Sequence, residues 1–137
     1  MIGISTKTIY ALGAIHQLGL LETNERLNIK ALASRANAPE KFLGQILLEL
    51  KKAHILQSTK GANGGYSLNK ALHEISLKDI IFTLETNAFE DICQTNNPTL
   101  KLFWEEKQQA LIKIFDTPLS ELHYYHEKAN QNFNYII

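Results

Sequence analysis

Cysteine is nearly missing from this chain of 137 residues, which has Cys93 and no other. One thiol cannot close a disulfide within the chain, so the fold depends on a packed core, for which 45% hydrophobic residues are enough. Also missing are an apolar run of the roughly 20 residues that a bilayer-spanning helix needs and the features of a signal peptide. These absences predict a cytoplasmic protein without a membrane partner.

A net charge is missing as well, because 14 basic residues balance 14 acidic ones. The two signs are unevenly distributed. Up to Lys70, nine basic side chains oppose four acidic ones, a net charge of +5, and from Ala71 onward five oppose ten, a net charge of −5. A basic first half suggests a polyanionic partner, and the alternative is ordinary solvated surface charge.

Residue patterns typical of enzymes are missing too. The sequence has no nucleophile paired with a base, no phosphate-cradling loop followed by a helix and no cluster of carboxylates. We therefore expect a protein that binds a partner and is not an enzyme.

What is present is a clear succession of helices and strands. Apolar spacing predicts helices at 5–21, 29–36 and 39–53, with Asn28 capping the second and Pro39 opening the third. Two strands, 54–60 and 66–69, flank Asn63-Gly64, a pair that favours the positive φ angles of a tight hairpin turn. Later helices are expected at 77–85, after a capping serine, at 98–115 and at 119–129.

This order predicts a mainly α fold with a small β-hairpin, namely a winged helix-turn-helix followed by a long helix. The break between the second and third helices is short, as a helix-turn-helix requires, and the hairpin after them is the wing. We divide the chain into a winged helix-turn-helix DNA-binding domain (1–85), a linker or sensor loop (86–97) and C-terminal helices (98–137).

The third predicted helix has an apolar stripe on one side and groove-reading residue types on the other. Gln45 can pair with adenine, and Glu40 can accept a hydrogen bond from cytosine N4. Gly44 lacks a side chain, so a backbone or a phosphate can approach it closely. The alternative is an ordinary core helix of a bundle.

Residues outside this helix are expected to hold the DNA backbone. The free N–H groups at the start of the first helix favour a phosphate, and Lys60 at the base of the wing can enter the minor groove or hold a phosphate. The basic side chains near the reading helix are either phosphate contacts or merely solvated. With double-stranded DNA as the partner, the predicted contacts are Ser5, Thr6, Lys7, Arg35, Pro39, Glu40, Lys41, Gly44, Gln45, Ser58, Lys60, Asn63 and Gly64.

Several segments resemble the IscR-type regulators, the Rrf-two family. The resemblance is carried by Tyr10-Ala11-Leu12 in the first helix, Ile29-Lys30-Ala31-Leu32-Ala33 at the helix-turn-helix entry, Phe42-Leu43-Gly44-Gln45-Ile46-Leu47 in the recognition helix, the wing at 58–68, where lysine replaces the usual arginine at position 60, and Trp104 with residues 117–122 in the dimerisation region. The resemblance implies a transcriptional regulator, usually a repressor. It also implies a homodimer on a palindromic operator, with recognition helices roughly 34 Å apart. In such a homodimer the helices at 98–137 are the dimerisation helices, and the residues expected in the dimer contact are Leu100, Phe103, Trp104, Leu111 and Ile114.

Many members of this family hold an iron–sulfur cluster through three cysteines, and residues 85–102 here offer only Cys93. Two further positions that supply ligands in some members carry Lys101 and Ile9 in this chain. We therefore expect no cofactor and no metal. Cys93 is a candidate redox sensor, or else a plain thiol whose reactivity two acidic neighbours blunt.

Some alternatives stay open at this point. His123, His126 and Glu127 have spacings that could seed a metal site, although exposed polar positions on a helix explain them more simply. The chain could be a winged-helix module that docks to a protein partner without binding DNA. It could also be a redox- or metal-responsive sensor that acts through Cys93.

Overall fold

The structure, a computed structural model, describes residues 3–88 and 94–136, with side chains up to residue 132. Within these ranges the elements are α1 (Thr6–Gly19), α2 (Ile29–Arg35), α3 (Glu40–Lys52), β1 (Leu56–Thr59), β2 (Gly65–Leu68), α4 (Leu77–Leu84), α5 (Pro98–Ile114) and α6 (Leu122–Ile136). Short 3₁₀ turns lie at Leu72–Glu74 and Leu119–Glu121. The mainly α fold with one hairpin, predicted from the sequence, is confirmed. No helix in the described ranges is both long and apolar enough to cross a bilayer.

The core forms around α1, which packs against α2, α3, α4 and β2. Apolar side chains recur at helical spacing on each of these helices, so each helix buries one face. The fully buried large side chains include Ile15, Leu32, Leu43, Ile46, Leu47, Leu50, Leu56, Ile75, Ile80 and Ile81. Burying each of them stabilises the fold by about 1.5–3 kcal/mol, so the α3 stripe alone firmly fixes which face of that helix points outward.

The turn between α2 and α3 is set by local hydrogen bonds. The Asn28 side chain accepts the Ala31 N–H at 2.8 Å and so caps α2. Asn37 adopts a positive φ of 51°, and the Ala38 N–H then donates to the Ala33 carbonyl at 3.0 Å, which closes the end of α2. Pro39 was expected to be the first residue of α3, but it is the N-cap residue that precedes the helix.

The end of α3 differs from the expectation that a strand begins at residue 54. His54 has a positive φ of 61°, and the Ile55 N–H donates to the Leu50 carbonyl at 3.0 Å, so both residues terminate the helix. The strand begins only at Leu56. The predicted span of 54–60 was therefore wrong at its start, because the left-handed His54 and the hydrogen bond of Ile55 close the helix first.

The hairpin turn also differs from the prediction. β1 and β2 pair antiparallel from Leu56↔Leu68 to Thr59↔Gly65, which leaves residues 60–64 as a five-residue loop. In that loop the Gly64 N–H donates to the Gly61 carbonyl at 3.0 Å, and the positive φ angles fall on Gly61 and Gly65. The Asn63-Gly64 tight turn was wrong, because the longer loop places Asn63 inside a turn closed by its flanking glycines.

One residue of the α1–α2 loop hydrogen-bonds to the wing, in addition to the packing of β2 against α1 and of β1 against α3. Leu27 and Tyr66 exchange backbone hydrogen bonds of 3.1 and 2.7 Å. The neighbouring Gly65 lies so close to the Leu27 carbonyl that a Cβ there would clash with it. The base of the hairpin is therefore fixed, and its tip projects from the body.

The predicted capping box of α4 is confirmed. The Ser76 hydroxyl accepts the Asp79 N–H, and the Asp79 carboxylate accepts the Ser76 N–H, both at 3.0 Å. The start of α5 at Pro98 is also as predicted, with the Asn97 side chain capping its first turn.

The chain after α5 returns to the winged-helix part. The Leu77 N–H donates to the Thr117 carbonyl at 2.8 Å, and the Leu119 N–H donates to the Ile75 carbonyl at 2.8 Å. Leu119 itself is buried in the common core. The last helix was expected at 119–129, but those residues begin with a 3₁₀ turn, and α6 runs on to Ile136. The domain boundaries at 85 and 97 stay predictions.

Candidate nucleic-acid interface

Helix α3 has two distinct faces. Leu43, Ile46, Leu47 and Leu50 are at most 1% exposed and form the inner stripe. The outer side carries the exposed Glu40, Lys41, Gln45, Leu48 and Lys52. The structure therefore places the three groove-reading candidates Glu40, Lys41 and Gln45 on the outer side, where a DNA duplex could reach them.

Three further residues that the sequence predicted as DNA contacts lie in or beside α3, and the structure shows the local role of each. Gly44 is half-buried, and a Cβ placed on it would lie 3.4 Å from Ile29 of α2, so the glycine faces the neighbouring helix. Pro39 is exposed and serves as the capping residue of α3. Arg35 is exposed in the last turn of α2, where a cation suits the helix dipole.

The wing presents a row of exposed side chains. Ser58, Lys60 and Asn63 all lie on its solvent side. Gly64 is different, because it is half-buried and a Cβ there would collide with the Thr59 carbonyl oxygen. The turn itself therefore explains why a glycine is present at position 64. Lys60, in contrast, lies outside the core and is available to a phosphate.

The start of α1 already holds an anion, namely a carboxylate of the chain itself. Glu85 Oε1 accepts from the Ser5 N–H at 2.8 Å, the Ser5 hydroxyl at 2.6 Å and the Thr8 hydroxyl at 2.8 Å. We expected a DNA phosphate at this helix start. The donors of Ser5 instead face Glu85, since a helix N-terminus attracts any nearby negative charge.

These contacts change the acidity of Glu85. Partial burial raises the pKa of its carboxyl group, but the hydrogen bonds from Ser5 and Thr8 and the nearby Lys7 charge lower it more. The pKa therefore lies below its ordinary value, and the ionised form is favoured in the folded protein.

Lys7 joins α1 to the reading helix. Its Nζ lies 2.7 Å from Glu49 Oε2 on α3, with both side chains about one third exposed. An open groove of about 630 Å³ runs beside this ion pair, between the start of α1 and α3. Its lining consists of Ser5, Thr6, Lys7, Tyr10, Phe42, Gln45 and Ile46. The structure thus brings the predicted α1 contacts and Gln45 to one groove.

Sequence reasoning missed Phe42 as a site residue. Its side chain is 66% exposed in the first turn of α3. A signal was available, because Phe42 lies off the apolar stripe of that helix and three residues before Gln45. Glu85 and Thr8 were missed as well, and no local signal reveals a contact between residues 77 positions apart.

The histidine candidates do not line this groove, and Cys93 falls outside the described residues. His126 Nδ1 on α6 lies 3.2 Å from His16 Nε2 on α1, and burial, followed by the charges of His126 and His123, lowers the pKa of His16. In the part of the chain that the structure describes, no group of three or more His, Cys, Asp or Glu residues could hold a metal ion.

The expected dimer residues form an open apolar surface on α5. This helix buries none of its residues within the chain, and Leu100, Phe103, Trp104 and Ile114 are 41–65% exposed. Leu111 is partly buried. Such a row of large apolar side chains is typical of a helix that packs against another chain.

Comparison with known proteins gives one consistent result. Residues 4–120 match the family model described as Rrf2, iron-dependent transcriptional regulator. An HTH-type transcriptional regulator from Synechocystis sp. is 28% identical, over 98% of this chain and 99% of its own length. The solved structure of CymR, the global cysteine regulator of B. subtilis, superposes with a TM-score of 0.80 at 29% identity, covering 91% of this chain and 98% of CymR. IscR from T. potens superposes with a TM-score of 0.75 at 27% identity, covering 93% and 90%.

Proposed function

This chain belongs to the Rrf2 family of DNA-binding transcriptional regulators, and it is not an enzyme; we propose that it acts as a homodimeric repressor on a palindromic operator. In this proposal α3 of each subunit enters the major groove, and the wing follows the adjacent backbone or minor groove. The observation that carries it is the outer side of α3, where Lys41 and Gln45 are exposed while the opposite stripe is sealed in the core.

Charge distribution supports DNA as the partner. The residues up to Lys70, which include α3 and the wing, have a net charge of +5 in a chain whose total is zero. Lys60 at the wing and Arg35 at the end of α2 are exposed and can neutralise phosphates. Binding should therefore weaken steeply as the salt concentration rises.

The apolar surface of α5 supports the homodimer. A second copy of α5 would cover Phe103, Trp104 and Ile114 by a two-fold contact, in which the same surface is used twice. Two such subunits present two recognition helices, so the operator should read the same on both strands, with half-sites about one helical turn apart.

We further propose that the chain works without an iron–sulfur cluster. The donor set supports this, because such clusters need several thiolate or comparable ligands and the chain has one cysteine. Ile9 and Lys101, at two positions that supply ligands in some relatives, are exposed and have no side-chain group that ligates iron. A protein purified without oxygen should therefore be colourless and free of iron.

Selection of duplexes from a random pool, at low and then moderate salt, tests the proposal. We expect one palindromic motif. Gln45→Ala should change the selected bases within each half-site, because the amide reads a base edge, at a cost of about 1–3 kcal/mol on the parent site. Lys60→Ala should weaken binding to all duplexes and lower the salt dependence by about one counterion per subunit.

Lys128→Ala serves as the matched control, because Lys128 is an exposed lysine on α6, outside the proposed interface. Its affinity and motif should equal those of the parent. If no motif is enriched even at low salt, the protein-docking function replaces DNA reading. If both interface variants select the parental motif with parental affinity, the placement of α3 in the groove is wrong.

A further inference from the structure

Phe42 is an exposed aromatic side chain among polar groups on the reading helix. It is 66% exposed, more than the tryptophan of the apolar α5 surface, and its neighbours Lys41 and Gln45 are exposed as well. An aromatic ring left in water at a binding surface gains free energy when a partner covers it. The position in the first turn of α3 is where a recognition helix approaches bases most closely.

Phe42 and Gln45 act on the same part of the surface. Residues three apart on a helix lie on neighbouring positions of one side, and both line the groove of about 630 Å³ between α1 and α3. Lys7 lines the same groove from α1, with its charge paired to Glu49 of α3. The groove therefore offers an apolar ring and an amide close to one another.

The major groove of DNA offers matching groups. The amide of Gln45 matches the N6 and N7 edge of adenine. The apolar ring has one counterpart among the base edges, which is the C5 methyl group of thymine. Cytosine and the purines expose no methyl group there, so the ring distinguishes thymine from them.

From this juxtaposition we propose that Phe42 is a specificity-determining residue that packs on a thymine methyl group next to the adenine read by Gln45. The inference rests on the proposed DNA-binding function and names the bases that the reading helix prefers. Each half-site should then contain an adjacent thymine and adenine that are read by one subunit.

Replacing thymine by uracil tests this directly, because it removes the methyl group and leaves base pairing intact. Each thymine of the selected operator is replaced in turn, in both half-sites together. We expect one position at which uracil weakens binding of the parent protein about four-fold per half-site, the loss for one buried methyl group. In Phe42→Ala the same uracil should change affinity less than 1.5-fold, as a double-mutant cycle requires for a direct contact.

Two further variants test whether the uracil penalty depends on the side chain of Phe42 alone. Phe42→Leu keeps an apolar side chain and should retain part of the uracil penalty. Leu48→Ala removes another exposed apolar side chain of α3 that does not line the groove, so it should keep the full penalty. Circular dichroism melts should show that the Phe42 variants are folded, since the ring is largely outside the core.

Three outcomes would overturn the assignment: no uracil penalty in the parent protein, a penalty that persists unchanged in Phe42→Ala, or one that Leu48→Ala abolishes. In all three cases the parent still selects a palindrome, and DNA binding stands. Failure of the proposed function itself is a different result, because then no motif is enriched and there is no operator in which to replace thymine.

Discussion

At the scale of single residues, Glu85 links the end of α4 to the start of α1. One carboxylate oxygen accepts three hydrogen bonds, two from Ser5 and one from Thr8, a residue that is only 1% exposed. Hydrogen bonds to an ionised group are stronger than those between neutral groups. The negative charge of Glu85, and not only its acceptor oxygen, therefore stabilises the contact between α4 and α1.

Glu85→Gln should lower the free energy of unfolding by about 1 kcal/mol at neutral pH, because an amide keeps an acceptor oxygen but loses the charge, and partial exposure screens the effect. The folded-state pKa of Glu85 lies below its ordinary value of 4.5, so the stabilisation is present above that value and is lost as the pH falls through the lower folded value. Urea unfolding at pH 7 and in acid, at one protein concentration, measures the difference.

Glu127→Gln is the control, because Glu127 is an exposed carboxylate on α6. It should unfold like the parent at both pH values. An equal loss in both variants, or a loss in Glu85→Gln that does not shrink in acid, would contradict the role given to the Glu85 charge.

Some site residues could be predicted from the sequence and others could not. Gln45 and Lys41 follow from helical periodicity alone, because they lie off the apolar stripe of one short segment. The same rule would have placed Phe42 on the surface, but an aromatic residue is first assumed to be in the core. The contacts of Glu85 with Ser5 and Thr8, and the pairing of Lys7 with Glu49, depend on packing between elements, which local pattern does not encode.

At the scale of elements, the shape of the wing depends on glycines at positions where a side chain would collide with the backbone. Gly64 lies where a Cβ would collide with the Thr59 carbonyl oxygen, and its N–H closes the turn with Gly61. The exposed tip can therefore keep one shape although it has few contacts with the body.

Gly64→Ala should distort this turn, at a cost of about 1–3 kcal/mol to the hairpin, because the added methyl group displaces backbone atoms. Amide hydrogen exchange at residue 59, whose partner in the hairpin is Gly65, should become faster, while exchange in α1 stays unchanged.

Ala62→Ser provides the matched substitution, since Ala62 is exposed in the same loop. It adds one oxygen atom and should leave exchange at residue 59 as in the parent. Equal exchange in Gly64→Ala and Ala62→Ser would show that the turn accommodates the methyl group.

The sequence predicted the existence of every element more reliably than its ends. Asn28, Ser76 and Pro98 mark helix starts through their own side chains, and all three starts were confirmed. The start of β1 and the hairpin turn were wrong, because left-handed angles fall on His54 and Gly61 and not on Asn63, as the Asn63-Gly64 pair suggested.

At the scale of the whole molecule, the exposed apolar surface of α5 is the one proposed to form the dimer contact. Ile114→Glu together with Trp104→Glu should prevent the proposed dimer, because two carboxylates would be buried without counter-charges. Sedimentation at micromolar concentration should then give half the parental mass, and operator affinity should fall by more than about ten-fold, since only one half-site is bound at a time.

Leu20→Glu is the corresponding control, an exposed apolar residue at the end of α1. It should retain the parental mass and affinity. A double variant of α5 that keeps the parental mass would place the subunit contact elsewhere on the molecule.

The return of the chain after α5 has a practical consequence for fragments of this protein. Leu119 fills part of the core that the first 85 residues enclose, and its N–H satisfies the Ile75 carbonyl. A piece cut after Glu85 would leave that space open and the carbonyl unpaired. We therefore expect such a piece to be less stable than one that extends past residue 119 and so includes α5, even where only the wing and the reading helix are of interest.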